Sequence, residues 1–420
     1  MAIKVDFLFL FVVAIVPLLC NACLNQLYPD EGGTRLISDI TVDDQNSVNY
    51  VENNQAKAPA GARAIKSTNV RQKMVGKAKK VCYTDGICFS NDQPPYTGLP
   101  LPVPPVGMPL RYYLYTPESP VIEDLPVTGE SELFLDDRPF KIFIHGFGMN
   151  SAHVMSIELA RKLVYQCECN VMVVDWRGGS FGGPTSDIGA ENYESRAQNA
   201  FSNTRVVARM LGRFLHRFYE RRDTLLPKDA LHCIGVDLGA HICAQLQDSF
   251  HDVVNRISGL NPTVPNGCGK SCLDPTDAVQ VDVIHTTRAG VLSSEADSIV
   301  QLGDLGADVA VGHMDFYVNW DQPLQPKCEK TDKKMPYRCA SRRALQLFIN
   351  SIGKSCQYKA RSCDNPPWND CQACTAPTGS CVTMGYGADK SLLNDLTVNK
   401  FNGIFLVDTT KYEPFCGLDD

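Results

Sequence analysis

The stretch CIGVDLGAHIC, residues 233–243, decides the fold. A short apolar run ends at Gly235 and Val236, and a helix-forming segment opens around Gly239, with Asp237 at the corner between them. Glycines at these positions let a strand turn abruptly into a helix and push the central side chain out at a strained corner. The helix N-terminus beneath offers free amides and a positive dipole end to a developing anion. Many hydrolases carry a serine at this corner, in the pattern G-x-S-x-G. Here the residue is an aspartate. One glycine-rich turn is common in α/β proteins, so the rest of the chain must say what this one is.

Working outward, Lys141–Ile144, Val171–Val174, Leu231–Ile234 and Val279–Ile284 are short β-rich runs suited to buried parallel strands. Val154, Ile157, Ala160, Leu163 and Val164 repeat at helical spacing between the first two. Val206, Val207, Met210, Leu211, Phe214, Leu215 and Phe218 do the same before the third. Strands alternating with helices predict an α/β fold whose mainly parallel central sheet is covered on both faces.

The 420-residue chain has a net charge of −7, which argues against a nucleic-acid partner, since such proteins usually present a basic face. Its start, MAIKVDFLFLFVVAIVPLLCNAC, carries an apolar run from Phe7 to Cys20, short of the roughly 20 residues a membrane span needs. With small residues at Cys20 and Ala22, residues 1–22 read as a secretory signal peptide, the alternative being an uncleaved anchor. Secretion, an extracellular location and no transmembrane segment after cleavage follow from that reading. Eighteen cysteines then imply disulfides, and their clustering suggests bridges closing short local loops. Zinc is the competing reading of such clusters, but paired CxxC motifs with adjacent histidines are missing. Residues 23–79 are polar and without periodicity, as in a flexible tail or propeptide. The folded part begins near Lys80.

A series of motifs, all in order, makes the chain similar to the pancreatic lipase family over roughly Lys80 to Gly417. KVCYTDGICFSNDQPPYTG (80–98) resembles that family's mature amino-terminus. FIHGFG (143–148) resembles its HGF turn, VVDWRGGS (173–180) its DWxGGS strand end, and IGVDLGAH (234–241) its IGHSLGAH elbow. SGLNPTVP (258–265) stands for GLDPAxP, LDPTDAVQVDVIHT (273–286) for LDPxDAxxVDVIHT, and VGHMDFYVN (311–319) for GHxDFxPN. CASRRALQLF (339–348), the close set Cys371, Cys374 and Cys381, and VTMGYGAD (382–389) continue the match. The resemblance implies an α/β-hydrolase domain over 80–420, without that family's C-terminal β-sandwich. It also implies disulfides at Cys82 and Cys88, Cys268 and Cys272, and Cys374 and Cys381. Cys328 and Cys339 bracket the family's lid position, where the intervening EKTDKKMPYR is mostly charged.

The family hydrolyses lipid esters with a serine, an aspartate and a histidine. Carried over by position, these become Asp237, Asn261 and His313. Thr287 stands where an acidic neighbour is frequent. The backbone amides of Phe147 and Leu238 become the oxyanion donors. His145 and His241 read as structural, part of the turn and elbow packing.

A carboxylate attacking an ester expels a more basic alkoxide, so its adduct should collapse backwards, and Asp237 sets a negative charge where charge must develop on substrate. Replacing the acid alone in a serine protease triad costs about 10⁴-fold in rate. The expectation is therefore a degenerate, non-catalytic member acting through a lipid or apolar ligand, storage or protein interaction. The alternatives are an active lipase or phospholipase A1-like hydrolase with a rearranged triad, and a hydrolase using Asp237 as nucleophile with His313 as base. In the bland reading Asp237 caps the helix that follows and pairs with His313. No cofactor is expected. Asp274 and Asp277 match two calcium ligands of the family, but two carboxylates in a loop are more often capping or solvated than metal-binding, so calcium is not the favoured reading.

Overall fold

The computed structural model of the protein describes residues 40–42, 47–50, 80–84, 86–94, 96–182, 193–221, 231–248, 250, 254–263, 272–287, 306–307, 309–322, 324–328, 336–353, 356–363, 371, 381–389 and 403–416. The expected signal peptide lies outside the described residues.

Among those residues two sheets form. The smaller has four strands in the order β1 (Ile40–Val42), β2 (Ser47–Tyr50), β3 (Lys80–Cys82), β4 (Cys88–Ser90). Its first two strands fall inside the segment expected to be a tail; the rest of 23–79 is outside the described residues. The Cys82–Cys88 disulfide closes the β3–β4 turn, as the resemblance implied.

The larger sheet contains β5 (Arg111–Thr116), β6 (Ser119–Asp124), β7 (Phe140–Ile144), β8 (Asn170–Asp175), β9 (Leu231–Val236), β10 (Arg256–Leu260), β11 (Gln280–His285), β12 (Met314–Val318), β13 (Tyr358–Ser362), β14 (Cys381–Met384) and β15 (Ile404–Val407). Its order is β14-β13-β15-β12-β11-β10-β9-β7-β8-β5-β6. From β8 through β15 neighbours run parallel, and antiparallel strands flank them at both edges. The parallel strands are continuous apolar runs because helices cover both faces. Strand alternation splits β7 between two cores. Phe140, Ile142 and Ile144 point to one, with Phe201, Val207, Leu211, Phe214 and Phe218 of α3 (Tyr193–Glu220) and Leu238, Ala240 and Ile242 of α4 (Leu238–Ala244). Phe143 points to the other, with Leu159, Ala160 and Leu163 of α1 (Val154–Cys167) and Ala344, Leu345 and Phe348 of α5 (Pro336–Ser351). α2 is the short helix Arg177–Ser180 after β8. This is the α/β-hydrolase arrangement, and it collects the C-terminal ends of the parallel strands along one edge.

Five cysteine pairs are disulfide-bonded among the described residues: Cys82–Cys88, Cys233–Cys243, Cys328–Cys339, Cys356–Cys416 and Cys363–Cys371. Cys272 and Cys381 are also bonded, while Cys268 and Cys374 lie outside the described residues. No described helix is long and apolar enough to cross a membrane.

Candidate active site

β9 ends at Asp237, whose backbone lies at φ 54°, ψ −116°, and α4 starts at the next residue. The corner closes only because its glycines lack Cβ atoms. A Cβ on Gly235 would fall within 3.0 Å of the Ala240 amide, and one on Gly239 within 3.0 Å of the Ile144 carbonyl, closer than real Cβ atoms approach. The Cys233–Cys243 disulfide, which the family motifs did not point to, ties β9 to α4 across this turn. The only sequence signal for it was that the two cysteines flank the elbow, four residues before and six after Asp237.

The Asp237 carboxylate does not cap α4. A capping side chain reaches the second or third helix amide from a β-region backbone, and the left-handed φ at Asp237 swings its carboxylate elsewhere. Oδ2 instead accepts a 2.8 Å hydrogen bond from the Phe147 amide, the expected oxyanion donor. Oδ1 accepts from the Thr263 hydroxyl. The side chain is 5% exposed. Thr263 also accepts from His241 Nε2 through its carbonyl, at 2.6 Å. Burial lowers the His241 pKa to about 4, so the ring is neutral in the fold. Thr263, which the motifs left unread, therefore couples the elbow helix to the corner side chain. Leu238, the other expected donor, opens α4 and is buried.

The Phe147 turn is held from the β8 side. Asp175 accepts from the amide and hydroxyl of Ser151 and from Arg177, and lies 3.5 Å from His145 Nε2. Burial opposes its charge, but hydrogen bonds from Arg177 and Ser151, with the His145 ring alongside, hold the carboxyl well below the usual carboxylate range. His145 Nδ1 donates to the Gly146 carbonyl at 3.1 Å, and Nε2 accepts from the Trp176 amide at 3.1 Å. Both rings, His145 and His241, are structural.

Asn261 follows β10, also at a positive φ of 52°. Its carbonyl oxygen accepts from the amides of Thr286 and Thr287 at 3.1 and 3.0 Å and from both hydroxyls. Those donors fix the amide orientation, and Nδ2 donates to Ser341 Oγ at 3.1 Å. In a triad the acid orients the base. The side chain that faces the acid position here is Ser341, buried in the first turns of α5. A serine cannot act as a general base.

His313 is not that base, and the assignment is corrected. Register places Val236 beside Leu260, Leu260 beside Ile284, and Ile284 beside Phe316. Asp237 lies one residue above this level and His313 three residues below it. The offset is about 13 Å along the strands and about 14 Å across three strand spacings. His313 sits at the N-terminal edge of β12, where Nδ1 accepts from the Val281 amide at 3.0 Å and its own amide donates to the Val281 carbonyl at 2.8 Å. It pairs neither with Asp237 nor with Asn261. Ser341 lies in CASRRALQLF, two residues after the second lid cysteine, and only its contact with Asn261 places it at the site.

His285 does lie near the level of Asp237, but its Nε2 is 2.8 Å from Asp315 and its Nδ1 2.9 Å from the Ala307 carbonyl. The ring is fully buried and stacks on Tyr317. Both ring nitrogens are engaged by Asp315 and Ala307, away from the elbow. Asp274 and Asp277, the positions of the family's calcium ligands, form a reciprocal cap: Asp274 accepts from the Thr276 amide at 2.9 Å, and Asp277 from the Asp274 amide at 2.7 Å. The Cys328–Cys339 disulfide forms as expected, and residues 329–335 between them lie outside the described residues.

Lipase member H from Xenopus tropicalis is 31% identical over 326 residues, which are 74% of this chain and 64% of that protein. Pancreatic lipase-related protein 2 from Rattus norvegicus is 30% identical over 342 residues, 74% of this chain and 67% of that protein. The chain thus spans about two thirds of the length of these relatives. Among solved structures, a hydrolase of the alpha/beta superfamily from Xanthomonas campestris is 15% identical with a TM-score of 0.28, covering 50% of this chain and 98% of that one. The Lipase family profile matches residues 79–415, and the chain belongs to the lipase family.

Proposed function

We propose that this lipase-family chain is a secreted, non-catalytic member that holds a lipid or other apolar ligand at the C-terminal edge of its sheet. The 2.8 Å hydrogen bond from the Phe147 amide to the Asp237 carboxylate carries the proposal. An oxyanion hole accelerates acyl transfer by keeping its donors aimed at charge that develops only in the transition state. Here one donor is already spent on a fixed anion. A developing oxyanion about 4 Å from that carboxylate would be repelled by roughly 4 kcal/mol at an effective dielectric near 20. The Asn261–Ser341 contact adds to this, because the position facing the acid holds no base.

Ligand binding is supported by what the corner retains. Two non-glycine residues, Asp237 and Asn261, keep positive φ. Such backbone strain persists where a site is over-determined and clusters at active sites and ligand clamps. In open α/β sheets ligands bind beyond the carboxyl ends of the strands, where both residues lie. The leader segment and the disulfides support secretion.

The test is hydrolysis of p-nitrophenyl butyrate and of phosphatidylcholine vesicles by the purified protein, with lipid extraction and mass spectrometry on the same preparation. Turnover at the blank rate, with co-extracted lipid near one equivalent, is expected. Turnover that disappears in Asp237→Ala would show catalysis and overturn the non-catalytic reading. Failure to recover or load any lipid would overturn the ligand.

A further inference from the structure

Among the described residues every cysteine is disulfide-bonded except Cys167 and Cys169. The two sit at the C-terminal end of α1, separated only by Glu168, which turns left-handed at φ 49°, ψ 43°. Cys167 is half-buried and Cys169 buried. Cys169 and Tyr386 lie beside the Cys167 thiol, and Cys169 Sγ reaches the Leu163 carbonyl at 3.5 Å. Two residues along a chain span at most about 7 Å when extended. The bend at Glu168 shortens that into the range of about 4.4–6.8 Å between Cα atoms that a disulfide requires.

We propose that Cys167 and Cys169 form a redox-reversible dithiol that closes to a Cys-x-Cys disulfide by exchange with a low-molecular-weight disulfide. The pair is asymmetric in the way exchange needs. The neighbouring Cys169 thiol, with a smaller contribution from Tyr386 and the Lys141 charge, holds the Cys167 thiol below its ordinary range against the opposing effect of burial. The same proximity to Cys167 together with burial pushes Cys169 up. The thiolate is the attacking species, so the more accessible Cys167 attacks and Cys169 resolves. In the first step Cys167 Sγ displaces one thiolate from the small disulfide and forms a mixed disulfide. In the second, Cys169 gives its proton to solvent and attacks Cys167 Sγ, releasing the second thiolate. The two protein thiols lose two electrons, and one small disulfide becomes two thiols.

Trypsin cuts after Lys162 and Arg177, so one peptide, residues 163–177, holds both cysteines and no others. Native protein is treated with reduced glutathione or with glutathione disulfide, quenched in acid, then alkylated with iodoacetamide in denaturant and digested. After reduced glutathione the peptide should carry two alkyl groups; after the disulfide it should carry none and be two hydrogens lighter. Cys169→Ser should accumulate a glutathione adduct on Cys167, and the wild-type peptides decide the matter if that variant fails to fold. A peptide alkylated twice after both treatments, one closed after both, or a wild-type adduct that never closes overturns the proposal.

Discussion

Asp237 and Phe147, 90 residues apart in the chain, are joined by a 2.8 Å hydrogen bond from the Phe147 amide to Asp237 Oδ2. The bond commits the Phe147 amide to the resting fold. A buried carboxylate needs donors to offset its desolvation, and at this corner the donors are the Phe147 amide and the Thr263 hydroxyl.

Asp237→Ala should therefore destabilise the protein. It strips both donors of their partner, and a hydrogen bond to a charged group contributes about 1.5–3 kcal/mol. Alanine also tolerates the positive φ poorly. A loss of about 2–4 kcal/mol in urea unfolding is expected. Asp237→Asn, which keeps an acceptor and suits the left-handed region, should lose clearly less. Equal losses for the two would mean that the bond to Phe147 contributes nothing.

The elbow and the alternating strands were legible because they are local: glycine spacing and apolar runs show within a dozen residues. The site's third member was not. Motif order assigned His313, but a residue that precedes a parallel strand stands at the opposite edge from one that follows its neighbour, so His313 and Asp237 could not meet. Strand polarity alone would have excluded it. Ser341 needed the tertiary contact with Asn261, which joins residues 80 apart. The capping role assigned to Asp237 failed for a backbone reason, because its φ of 54° is set by the turn and does not show in residue type.

Asn261 allows a sharper discrimination. Its carbonyl oxygen takes two amides and two hydroxyls, while its NH₂ meets a hydroxyl that can reverse its own role. In Asn261→Asp the Ser341 hydroxyl would donate instead of accept, so stability should change by less than about 1 kcal/mol. Asn261→Ala leaves the Thr286 and Thr287 amides buried without that acceptor, at about 1–3 kcal/mol for each group left unsatisfied. Thermal unfolding of the two variants side by side checks this; an Asp variant as unstable as the Ala variant would contradict the network.

The Cys233–Cys243 bridge closes a loop of 10 residues around the elbow. In the chain-entropy account such a loop contributes about 3 kcal/mol by restricting the unfolded chain. Replacing both cysteines with alanine should lower the melting temperature measurably. The Phe147–Asp237 bond should survive, since it needs only the glycine corner. Protection of the Phe147 amide from hydrogen exchange reads that second part directly. An unchanged melting temperature would assign the bridge no stabilising role.

Acid sensitivity follows from the buried histidines. Burial lowers His241 to about 4, and burial with the nearby Arg256 and Lys141 charges holds His232 well below its ordinary value. Both rings are neutral in the fold, whereas in the unfolded chain they gain a proton near pH 6.5. The unfolded state thus binds more protons as pH falls from about 6.5 toward 4, and stability drops with it. For His241 the full drop is about 3 kcal/mol, because each tenfold difference in proton affinity between the two states is worth about 1.36 kcal/mol. Urea unfolding at pH 7.5, 6 and 5 should show a steady loss, with its onset below pH 6.5 and a flat region above it. A stability that rises on acidification across this window would place a proton on these rings in the folded state and refute the neutral His241–Thr263 contact.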